Sequence, residues 1–100
     1  MTKIYFERTG GFMGRKVSLS LDLDDLSAEQ VELLDEMLDD ADFFELPPDL
    51  TKPTMPDAFT YNITVSSEKG QHSVRVGDAT APEDLRPLLE ELSKRARMRR

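Results

Sequence analysis

Residues 17–23, Val17-Ser18-Leu19-Ser20-Leu21-Asp22-Leu23, place an apolar side chain at every second position and a small or charged one between. That two-residue period puts all the apolar groups on one side of an extended chain, so the segment predicts a half-buried strand with one face on a core. A single strand cannot bury its own apolar face. The rest of the chain must supply neighbours for its edges and a cover for that face.

Upstream, Ile4 and Phe6 alternate with Tyr5 and Glu7 as a short first strand. The glycine-rich stretch between the two predicts a hairpin. Downstream, Ser27-Ala28-Glu29-Gln30 carries a capping-box pattern, in which the serine hydroxyl accepts from the first helical turn. Val31, Leu34, Met37, Leu38 and Ala41 follow at helical spacing, with carboxylates on the opposite face. Phe43-Phe44-Glu45-Leu46 comes next, and Pro47-Pro48 ends regular structure. Phe59, Tyr61, Ile63 and Val65 form a third alternating strand, and Ser66 to Gly70 a turn. His72, Val74 and Val76 share one face of a fourth strand. Thr80-Ala81-Pro82-Glu83 predicts a helix start with proline in its first turn. Leu85, Leu88, Leu89, Leu92 and Ala96 make its apolar stripe.

The expected order is ββαββα, an α+β fold. It implies one four-stranded antiparallel sheet with both helices on its apolar face. Ser18, Ser20, Thr60, Asn62, Thr64, Ser73 and Arg75 belong to the face left to water. One hundred residues fit one domain, taken as residues 1–97 with a basic tail at 98–100.

Composition removes several classes of function. There is no cysteine, so disulfides, thiolate catalysis and cysteine-ligated zinc are excluded. The net charge is −7, and Asp22 to Asp49 holds twelve carboxylates with no Lys or Arg between Val17 and Thr51. Such a body repels phosphate backbones, so nucleic acid is not expected as a partner. Five of the thirteen basic residues lie in the last seven positions, where cations suit the negative pole of a helix. No apolar run approaches the length needed to span a membrane, and no secretory signal is evident. A cytoplasmic monomer without a membrane partner is the expectation.

Catalytic chemistry is poorly supplied. A single histidine, His72, cannot build a multi-histidine metal site, and its phase with Val74 and Val76 predicts a partly buried structural role. A catalytic role would need dimerisation to bring His72 and carboxylates of two chains together. The acidic groups Asp22, Asp24, Asp25 and Asp39, Asp40, Asp42 lack the glycine and distal glutamate of a calcium loop. Gly10-Gly11-Phe12-Met13-Gly14-Arg15-Lys16 lacks the spacing and the following helix of a phosphate-binding loop. Neither a cofactor nor a resident metal is expected, and no enzyme.

The loop itself admits two readings. Phe12 either folds over the hairpin end to close the core, or projects with Met13 as an anchor for a partner's pocket.

Thr9-Gly10-Gly11-Phe12-Met13-Gly14 resembles the Ser-Gly-Gly-Phe-Ala-Gly element of the emfourin family, small bacterial inhibitors of thermolysin-like (M4) metalloproteases such as protealysin. The similarity continues through Ala41-Asp42-Phe43-Phe44-Glu45-Leu46-Pro47, Pro56-Asp57-Ala58-Phe59-Thr60-Tyr61, His72-Ser73-Val74-Arg75-Val76 and Ala81-Pro82-Glu83-Asp84-Leu85. Threonine replaces serine, and methionine replaces alanine, in the loop. The resemblance implies an inhibitor that needs no metal of its own, since the zinc belongs to the protease. It implies partner-binding residues Thr9, Gly10, Gly11, Phe12, Met13 and Gly14. Asp22, Asp24 and Asp25 are assigned to electrostatic steering. The alternative function is a non-catalytic adaptor that binds proteins through a sheet edge or the acidic helix.

Overall fold

The computed structural model describes residues 2–10, 16–50, 59–68, 70–77 and 80–98. Its elements follow the expected order: β1 (Lys3–Gly10), β2 (Val17–Asp22), α1 (Ala28–Asp40), β3 (Phe59–Ser67), β4 (Gly70–Gly77) and α2 (Arg86–Met98). The four strands form one antiparallel sheet in the order β2-β1-β3-β4. The two hairpins therefore meet through their first strands. That leaves β1 and β3 in the centre and β2 and β4 at the edges.

Alternation sets which face is buried. Ile4, Phe6, Leu19, Ile63, Val65, Val74 and Val76 point to the helices and are almost wholly buried. Leu34 and Leu38 of α1 and Leu88, Leu89, Leu92 and Ala96 of α2 close over them. α2 packs against β2 and against α1, so the two helices form one layer on one side of the sheet. Ser18, Ser20, Ser73 and Arg75 are exposed on the other side, with Thr60, Asn62 and Thr64 half-buried. At α1 the Ser27 hydroxyl accepts from Gln30 N–H at 3.2 Å, the first half of the expected capping box.

Three boundaries differ from expectation. Leu23 leaves the strand for a 3-10 turn (Leu23–Asp25), because Leu23 N–H bonds Thr2 O at 3.0 Å and its side chain turns into the core. The last helix is preceded by a 3-10 turn (Glu83–Leu85), with Pro82 at the cap and not inside the helix. Thr80 does not cap that helix either. Its Oγ1 accepts from Gly77 N–H at 2.9 Å and closes the end of β4.

The start of the proline-rich connection, at residues 48–50, is pinned to the sheet. Arg75 N–H donates to Pro48 O at 2.8 Å and Leu50 N–H donates to Arg75 O at 2.7 Å. Asp49 thus runs parallel to the outer edge of β4 as an isolated bridge. No helix among the described residues is long and apolar enough to cross a membrane.

Candidate functional site

The glycine loop leaves the sheet where its two supporting strands end unequally. β1 pairs with β2 only as far as Arg8 opposite Val17, but with β3 through Thr9 opposite Thr60 and Gly10 opposite Phe59. Thr9 and Gly10 thus form the exit of the loop and, among the described residues, are paired with β3. Gly10 has φ 96°, a region closed to residues with a Cβ, so glycine is required there for the chain to leave the strand in this direction. Gly11, Phe12, Met13 and Gly14 lie outside the described residues.

Two polar clusters brace this exit, one on each face. On the solvent face, Tyr5 Oη donates to Glu7 Oε2 at 3.0 Å, and Lys16 Nζ lies 3.2 Å from the same oxygen. These two donors, the tyrosine first, hold the Glu7 carboxyl below its ordinary range. On the helix face, the Arg8 guanidinium sits 4.6 Å from the centroid of the Phe59 ring, a cation–π contact. A small pocket on that side is lined by Arg8 and Tyr61 of the sheet and by Arg86, Glu90, Ser93 and Arg97 along α2, so three guanidinium groups and one carboxylate border it. Sequence reading did not pick out these clusters. The Tyr5–Glu7 pair follows from same-face spacing, but Lys16 joins it only through the hairpin register.

The predicted acidic residues lie elsewhere. Asp22 Oδ1 accepts from Asp24 N–H at 3.0 Å and caps the turn that follows β2. Asp24 and Asp25 are exposed beside it. This cluster sits at the opposite end of β2 from the loop, roughly 17 Å along the strand at about 3.3 Å per residue.

His72 occupies the role read from its phase. Its Nε2 donates to Leu46 O at 2.8 Å, and its ring packs against Phe43 at 5.6 Å edge-on and Phe44 at 6.1 Å. A carbonyl and two phenyl rings are a structural environment; no nucleophile or acid faces it in these contacts. Near it, a concavity of about 610 Å³ has Leu38, Phe43 and Val65 in its floor and Asp35, Asp39, Asp42, Glu45 and Glu68 around it. Among the described residues, no three acidic or histidine groups converge closely enough to hold a metal.

A family model described as Emfourin matches residues 6–93, nearly the whole of the fold just described. The chain belongs to the emfourin family. Membership makes it a non-enzyme, in agreement with the thin catalytic inventory of the sequence. Among solved structures, "Emfourin (M4in) from Serratia proteamaculans, M4 family peptidase inhibitor" is similar at 20% identity, covering 87% of this chain and 84% of that one, with a TM-score of 0.49. No curated protein matches this chain in sequence.

Proposed function

We propose that this emfourin is a proteinaceous inhibitor of a thermolysin-like (M4) zinc metalloprotease and that it enters the active-site cleft with the glycine-rich hairpin loop, residues 9–14. The observation that carries the reading is the family match over residues 6–93. The build of the loop exit supports it: Thr9 and Gly10 are fixed on β3, and Glu7, Lys16, Arg8 and Phe59 brace both faces. A loop whose ends are fixed before docking loses less conformational freedom on binding, which favours affinity.

In this mechanism Phe12 or Met13 fills the apolar pocket that such proteases use for the residue just after the cleaved bond. The glycines let the loop backbone follow the cleft toward the protease's own zinc. The chain supplies shape and apolar area and holds no reacting group.

The test is a titration of a purified thermolysin-like protease, following cleavage of a short peptide. Saturable, stoichiometric inhibition with the inhibitor left intact is expected. Phe12→Ala should weaken the inhibition constant by roughly 2 kcal/mol or more, as for a central anchor side chain. An unchanged constant in that variant would remove Phe12 from the mechanism, and absence of inhibition by the parent chain would remove the mechanism itself.

A further inference from the structure

We infer that β2 is a self-association edge: two copies of the chain pair antiparallel along Val17–Asp22 about a two-fold axis at Leu19, joining their sheets into one of eight strands.

The two edges of the sheet are treated differently. β4 is covered at its middle, where Pro48 and Leu50 take up both backbone groups of Arg75. β2 has no strand or bridge on its outer side among the described residues. An open edge presents a row of backbone donors and acceptors, and proteins normally guard it with proline, an inward charge, a bulge or a very short strand. β2 has none of these. It runs six residues in unbroken register with β1, and Val17 to Leu21 contains neither a charge nor a proline. Beside this edge lies a groove of about 500 Å³ lined by Leu19, Leu21, Gln30, Glu91, Lys94 and Arg95.

The occupant follows from self-complementarity. An isologous two-fold contact pairs residue i with j and j with i. Only registers that put directly opposite residues on matching faces keep Val17, Leu19 and Leu21 of both copies on the helix side. Centred on Leu19, the register sets Val17 opposite Leu21 of the second copy and Ser18 opposite its Ser20. It also sets Lys16 opposite its Asp22. Three apolar pairs, counting Leu19 opposite itself on the axis, two hydroxyl pairs and two opposite-charge pairs result, with no like charges facing. Lys16 and Asp22 are exposed or half-exposed, and their present partners, the Glu7 carboxylate and the Asp24 N–H, leave both groups room for a further partner. The groove's rim has both signs of charge, with Glu91 and Arg95 paired at 2.6 Å, so two α2 helices meeting across the axis bring no single-sign surface together. The hairpin loops of the two copies then point to opposite ends of the joined sheet, so pairing leaves both accessible.

The test is sedimentation of the full chain across a wide range of concentrations. The parent should move from 11.4 kDa to twice that mass as concentration rises. Lys16→Asp sets a carboxylate against Asp22 of the second copy, and Asp22→Lys sets an ammonium against its Lys16. Each alone should weaken dimerisation by roughly tenfold or more, because like charges directly opposite on a strand pair repel. An equimolar mixture of the two variants restores opposite charges at both ends and should dimerise about as well as the parent. Lys16→Asp also takes the partner from Glu7, so the fold of each variant is checked by circular dichroism and thermal unfolding, and a folded Lys16→Asp chain that dimerises only with Asp22→Lys carries the test. A parent that remains monomeric throughout, or variants that pair as well as the parent, or a mixture no tighter than its components, would each overturn the proposal.

Discussion

At the scale of single residues, the base of the hairpin is where sequence and conformation constrain each other most tightly. Gly10 turns the chain off the strand at a positive φ, while Glu7, earlier on the same strand, gathers Tyr5 Oη and Lys16 Nζ on one oxygen. Because both donors favour the charged carboxylate, the folded state lowers the pKa of Glu7 below its ordinary value of 4.5. The sign follows from proton linkage: the native state binds the proton less tightly than the unfolded chain. The contribution to stability is therefore present above pH about 4.5 and is lost as pH falls through the lowered native value. Tyr5→Phe removes the larger of the two donors. It should destabilise the protein near neutrality and lose that effect at strongly acid pH, as denaturant unfolding at the two conditions would read. Equal destabilisation at both would mean that the hydroxyl contributes by packing and not through the charge on Glu7.

At the scale of elements, the segment from Phe43 to Leu50 is held by β4 through contacts far apart in sequence. His72 Nε2 reaches Leu46 O, the Phe43 and Phe44 rings flank the imidazole, and Arg75 bonds Pro48 and Leu50. His72→Ala leaves Leu46 O without its donor, and removes a ring from an aromatic cluster. The expected loss is about 2 kcal/mol, one hydrogen bond plus one aromatic contact. Inhibition of the protease should be unchanged wherever the variant is folded. A stable variant that no longer inhibits would instead put His72 in the binding surface. The same segment marks how far the sequence was legible. Strands and helices were, since Leu19, Ile63, Val74, Leu34 and Leu88 each announce their buried face by local period. The bridge of Asp49 to Arg75 was not, because two prolines mask a strand-like path and the partner lies 26 residues away. The same distance separates His72 from Leu46. The helix start read at Thr80-Ala81-Pro82-Glu83 falls later in the structure, because the Thr80 hydroxyl accepts from Gly77 N–H and closes β4, a contact only the folded strand shows. Of the candidate site, Thr9 and Gly10 read as part of the glycine loop, whereas the structure carries β1 through both; that extension and the bracing by Arg8, Phe59 and Lys16 were not legible, since they depend on register.

At the scale of the whole molecule, charge is separated along the hairpin. Arg8 and Lys16 stand at the loop end, while Asp22, Asp24 and Asp25 occupy the far end of β2. If the loop docks first into a protease cleft, the carboxylates at the far end are separated from it by roughly 17 Å of strand at about 3.3 Å per residue. The Debye length is about 8 Å at physiological salt and about 30 Å at 0.01 M. On the docking proposed above, steering by Asp24 and Asp25 would be strong only in dilute buffer, and it would act on orientation during approach more than on the docked complex. Reversing both, Asp24→Lys with Asp25→Lys, should slow association with the protease at low ionic strength, flatten its salt dependence, and leave the dissociation rate alone. Stopped-flow measurements at low and physiological salt separate these effects. A variant whose association rate is indifferent to salt and equal to the parent's would reduce the acidic end to solvated surface. A variant that associates faster would show the opposite polarity: the protease presents an acidic rim, and the basic groups beside the loop do the steering.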